Sequence, residues 1–151
     1  MNIQAAALTL TIIATSMETF AGANFYPPGH FAIDGVPVNC RMYPTIVTTS
    51  IPDSAMFNGQ AILLNPAVIG GLPTPLKLYV YAHECAHGMG YINESQADCV
   101  AIKTGRNQGW FPPQAFNDLI VMFQNNPGSL RHPPGPVRVQ NMYQCYQDTS
   151  S

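Results

Sequence analysis

The chain predicts an α+β fold in which a small antiparallel sheet packs on about three helices. Three observations predict it. A stretch from Val36 to Thr49 is rich in β-branched residues, an Asn58-Gly59 turn precedes a short apolar run, and three segments beyond Pro75 repeat apolar residues at helical spacing. With 151 residues, 46% of them apolar, the chain can bury one core and is short for two.

The elements follow in order. Ala5 to Ala14 is an apolar run interrupted only by threonines, too short to span a bilayer, and Ala21-Gly22-Ala23 follows as a small-x-small cleavage pattern. Residues 1–23 therefore read as a secretory signal peptide, although no Lys or Arg precedes the apolar run, and residues 24–151 as a single domain. Asn24 to Pro37 is rich in Pro and Gly and reads as an extended or irregular arm. Val38, Thr45, Ile46, Val47, Thr48 and Thr49 predict one or two short strands. Asn58-Gly59 predicts a hairpin whose second strand lies near Ile62 and stops at Pro66. Leu76, Tyr79, Val80, His83 and His87 then fall on one helical face, and Gly88 and Gly90 end that helix. Asn93 can cap a second helix running to about Gly105. Pro112 and Pro113 open a third, with Phe116, Leu119, Ile120 and Phe123 on one face. The tail from Gly128 is Pro-rich and shows no clear periodicity.

Charge narrows the function classes. Only 9% of residues are charged and the net charge is -2, with no basic stripe, so nothing points to a nucleic-acid partner. Three of the eight acidic residues, Glu84, Glu94 and Asp98, cluster within a short stretch. The four cysteines fit export to an oxidising compartment, secreted or periplasmic, and no C-x-x-C metal motif occurs. Cys85 with Cys99 is the expected bridge, because they lie on two helices held by one metal, which leaves Cys40 with Cys145.

That metal is expected from His83-Glu84-Cys85-Ala86-His87, an H-E-x-x-H sequence. Residues four apart on a helix share a face, so two imidazoles can reach one ion while Glu84 stands beside it as a base. Six residues separate His87 from Glu94, and Asp98 lies one turn beyond Glu94 on the same face. A tight glycine turn can fold this second helix against the first, making Glu94 a third ligand and leaving a position open for water. Asp98 is then placed to hold a ligating histidine. Placing three acids beside two histidines is costly unless a cation sits among them. His30 reads as a surface residue, and Cys85 points away from the two-His face.

His83-Glu84-Cys85-Ala86-His87 followed by Glu94-Ser95-Gln96-Ala97-Asp98 resembles the gluzincin zinc metallopeptidases, whose signature is H-E-x-x-H followed by E-x-x-x-D. The wording is closest to the M48-like and minimal gluzincins. The resemblance implies a zincin-like fold, one zinc ion per chain on His83, His87 and Glu94, Glu84 as general base, and Asp98 as buttress. It extends to the segment around Ala61, Ile62, Leu63, Leu64 and Asn65, similar to the edge strand that lines the substrate cleft. It also reaches His132-Pro133 and Arg138, similar to an H-P…R element that supports the transition state. The His87 to Glu94 gap is shorter than in thermolysin-like relatives, where long insertions build the cleft wall.

The expected activity is hydrolysis of peptide bonds in a peptide or protein substrate, with zinc as the Lewis acid and Glu84 carrying the proton. His132, stiffened by the prolines after it, is the expected oxyanion donor among His132, Arg138, Tyr143 and Tyr146. The alternative is a secreted module with a structural zinc or a cleft that binds peptide without cutting it. No stable membrane span is expected once the signal is removed.

Overall fold

The β-branched and apolar runs assemble as short strands around one central helix. A computed structural model describes residues 22–150, so the expected signal peptide lies, up to residue 21, outside the described residues. Six strands come first: Ala23–Tyr26 (β1), Phe31–Ile33 (β2), Val36–Val38 (β3), Thr45–Thr48 (β4), Ala55–Phe57 (β5) and Ile62–Leu64 (β6). Five helices follow: Pro66–Ile69 (α1), Thr74–Gly88 (α2), Glu94–Gln108 (α3), Ala115–Phe123 (α4) and Gly135–Gln147 (α5). The α+β class is as the sequence predicts. Of the two readings of the arm before Val38 the extended one holds, because β1 joins the main sheet and β2 pairs with β3. The tail carries α5, where no helix was expected.

The main sheet has the order β1-β4-β6-β5, and it is mixed rather than wholly antiparallel. The Asn58-Gly59 turn closes the expected β5–β6 hairpin, with Asn58 N–H on Ala61 O at 3.2 Å. β6 then inserts beside β4 in the parallel sense. Ala61 to Asn65 is therefore not an edge strand. Its central residues pair on both sides, and the edge beyond them is β5.

Helix α2 carries the core. Leu76, Leu78, Tyr79, Val80, Tyr81, Cys85 and Ala86 are all buried, so apolar contacts surround it. It packs on α3, α4, β2, β5 and β6. Each fully buried Leu or Ile side chain contributes roughly 1.5–3 kcal/mol. The bridges join Cys40 to Cys85 and Cys99 to Cys145, a pairing different from the expected one. The reason is geometric: two residues along a helix turn through about 200°, so Cys85 faces away from the His83–His87 face that meets α3. Cys85 meets the Cys40 loop instead, and Cys99 meets α5. Each bridge closes a loop of 45 or 46 residues, worth about 4 kcal/mol of unfolded-chain entropy in the chain-entropy model.

Candidate metal centre

The site is built where α2 ends and α3 begins. Gly90, at φ 97°, turns the chain, and Asn93 caps α3 by accepting the Gln96 N–H at 3.2 Å. This short connection puts Glu94 in the first turn of α3, where a carboxylate suits the helix dipole. One coordinating atom from each of His83, His87 and Glu94 lies within 4.8 Å of the other two, and this group can hold a metal ion.

The donor set fits a cation. His83 Nε2 stands 3.1 Å from His87 Nε2 and 3.1 Å from Glu94 Oε2. His87 Nδ1 is 2.7 Å from Tyr91 O, a carbonyl that only accepts, so Nδ1 carries the hydrogen and Nε2 is left as a lone pair facing the group. His83 Nδ1 approaches Asp98 Oδ1 at 2.8 Å, a charge contact not aligned as a hydrogen bond. Two imidazole nitrogens and a carboxylate oxygen crowded at one point are a donor set that a metal ion satisfies.

Asp98 is almost wholly buried, at 1% exposure, and four contacts hold it. Arg138 binds it through Nε at 2.8 Å and Nη2 at 2.7 Å, and the Tyr79 hydroxyl donates to it at 2.6 Å. His83 is the fourth. Burial alone would raise the Asp98 pKa, but Arg138 and His83 outweigh it and hold the carboxyl well below the usual range. Burial likewise opposes a charge on His83, yet Asp98, Glu94 and Glu84 raise its pKa to about 9. The surplus negative charge thus recruits a proton in the position a cation would neutralise.

Arg138 reaches this site and lines the same cleft as Glu84, with its side chain turned to Asp98. Its fork is committed to Asp98 and its plane lies 4.7 Å from the Phe123 ring centroid. It positions Asp98 from behind. His132, from the loop between α4 and α5, places Nε2 3.1 Å from Glu94 Oε2. Its side chain is 39% exposed, so it opens onto solvent as well as the site.

Glu84, His83, His87 and Glu94 line one cleft of about 560 Å³, together with Met56, Met122 and Ser129. Glu84 Oε2 accepts the Phe57 N–H of β5 at 2.8 Å. That contact was not readable from the sequence, nor were the Tyr79 hydroxyl and the Tyr91 carbonyl. Tyr79 offered a partial signal, since it lies one helical turn before His83 on the same face. His30 is exposed and lies apart from the site, as expected.

Among the described residues no helix is long and apolar enough to cross a membrane. Comparison with family models, curated proteins and solved structures finds no match to this chain.

Proposed function

We propose that the chain binds one zinc ion through His83, His87 and Glu94 and hydrolyses peptide bonds with Glu84 as general base. One observation carries the reading: three coordinating atoms converge within 4.8 Å on the wall of the cleft that also holds Glu84. The H-E-x-x-H and E-x-x-x-D residues that resemble the gluzincins are the same residues that meet there. Two His and one carboxylate with an open fourth position is a donor set suited to catalytic zinc.

Zinc supplies Lewis acidity, polarising a carbonyl and acidifying water. The chain's own groups do the rest. Phe57 N–H holds Glu84 Oε2, which leaves Oε1 to take the proton of the attacking water and pass it to the leaving amine. Asp98 holds the His83 ring toward the ligand position, and Arg138 and Tyr79 hold Asp98. His132 provides a donor beside Glu94 for the developing oxyanion. The two disulfides are consistent with an oxidising compartment, and we read the chain as secreted or periplasmic.

Glu84→Gln tests the reading. It should keep one zinc per chain by elemental analysis and lose peptide-library hydrolysis by roughly 10²-fold or more. Equal cleavage by wild type and Glu84→Gln would remove the base role. Zinc without any cleavage by wild type would favour the non-catalytic module.

A further inference from the structure

The loop between α4 and α5 sets the Ser129 hydroxyl, a group that the zinc reading does not use, against the His132 ring. The loop is tied at its base, where Gly135 N–H donates to Asn126 O at 2.9 Å and Ser129 N–H to His132 O at 2.8 Å. Gly128 sits at φ +82°, and a Cβ there would stand 2.7 Å from Pro134 N. The chain is thus folded tightly on itself around Ser129 and His132.

Ser129 Oγ accepts two backbone hydrogens, from Arg131 N at 3.2 Å and His132 N at 3.1 Å. A hydroxyl has two lone pairs and one hydrogen, so both acceptor positions are filled. Its hydrogen is left for His132 Nδ1, 3.2 Å away. Nδ1 is then the acceptor of the ring, and a neutral imidazole must carry its hydrogen on Nε2. The other end agrees: His132 Nε2 faces Glu94 Oε2 at 3.1 Å, a carboxylate oxygen that accepts.

We propose that Ser129 is a positioning residue that holds His132 in its Nε2–H tautomer, so that the loop presents a hydrogen-bond donor to the cleft and not a fourth metal-ligating lone pair. The distinction matters because a fourth protein ligand would close the site, as in structural zinc centres. The tautomer assignment stands on the loop geometry alone. The use of that donor on a substrate oxygen rests on the hydrolase reading.

The test uses the full chain with ¹⁵N-labelled histidine, and reads the His132 tautomer from long-range ¹H–¹⁵N correlations. Ser129→Thr keeps the hydroxyl. Ser129→Asp keeps acceptors for the two backbone N–H groups but has no hydrogen to give, and attracts a hydrogen onto Nδ1. Wild type and Ser129→Thr should show Nε2–H, and Ser129→Asp should show Nδ1–H. With zinc bound, kcat for a peptide should fall at least about tenfold in Ser129→Asp, with KM and zinc content within about threefold, since such a donor is worth roughly 10²-fold. An Nδ1–H tautomer in wild type, or an unchanged tautomer in Ser129→Asp, overturns the assignment. An inverted tautomer with unchanged kcat overturns the donor role. A wild type that cleaves no peptide defeats the hydrolase reading, while the correlations still decide the tautomer.

Discussion

Arg138 meets Asp98 through two parallel contacts, Nε to Oδ2 at 2.8 Å and Nη2 to Oδ1 at 2.7 Å, with both side chains almost excluded from water. The pair links α5 to α3 directly behind His83. Its geometry is the forked arrangement that suits a guanidinium, and a lysine could not reproduce it.

Removing one partner of this pair leaves an uncompensated charge inside the protein. Arg138→Gln should therefore destabilise the fold by about 3 kcal/mol or more, read as a shift of the denaturant midpoint in the presence of chelator. Zinc affinity should fall roughly 10- to 100-fold, because Asp98 loses the group that orients it toward His83. Unchanged affinity would detach Arg138 from the metal centre.

The ligand assignment is tested one residue at a time. His83→Ala, His87→Ala and Glu94→Ala should each bring zinc per chain close to zero after dialysis, while Glu84→Gln should retain it. Full occupancy in Glu94→Ala would show that another group supplies the third ligand, and His132, 3.1 Å from that carboxylate, would be the first to examine.

Zinc binding should release a proton. In the metal-free protein the His83 pKa is raised to about 9, above its ordinary value of 6.5. The protonated form is therefore favoured by folding. That stabilisation is complete below the unfolded value and is lost as pH rises through about 9. A zinc ion needs the neutral ring and displaces the proton, so affinity should rise about tenfold per pH unit across the neutral range. Calorimetry near neutral pH, in buffers of different ionisation enthalpy, should give close to one proton released per zinc. A buffer-independent enthalpy would contradict a protonated His83.

The group that could hold a metal ion was legible because it depends on local geometry. His83 and His87, like Glu94 and Asp98, are four residues apart on helices, and Asn93 is a strong cap between them. What the sequence hid depends on distant partners. Helix α5 buries only Gly135, Arg138 and Met142, so its apolar period is too faint to read, and it is anchored by the Cys99 bridge and the Asp98 pair. The β2–β3 hairpin left a signal in Asp34-Gly35, whose φ values of 49° and 82° are those of a tight hairpin turn. The face of Cys85 was also readable, and it argued against the Cys99 bridge that was expected. The sheet order was not readable, since nothing local says that β4 inserts beside β6.

That order decides where a substrate can lie. An extended peptide pairs with unpaired backbone groups at a sheet edge, and of the two edges, β1 and β5, it is β5 that lines the cleft. Asn65 N–H donates to Ser54 O and Asn58 N–H to Ala61 O, so by alternation Met56 turns its N–H and C=O toward β6. Ala55 and Phe57 then point theirs outward, as the Phe57 N–H on Glu84 confirms. The Ala55 N–H is the outward donor beside the cleft, so Ala55→Pro should remove the proposed substrate contact without removing a rung of the sheet. KM for a peptide should rise about tenfold, the order of one or two lost hydrogen bonds, with zinc content unchanged. Leu63→Pro is the control, because Leu63 pairs with β4 and β5 and its substitution should unfold the sheet. A peptide cocrystal with the ligand away from β5, or an Ala55→Pro enzyme with wild-type KM, would move the substrate path elsewhere in the cleft.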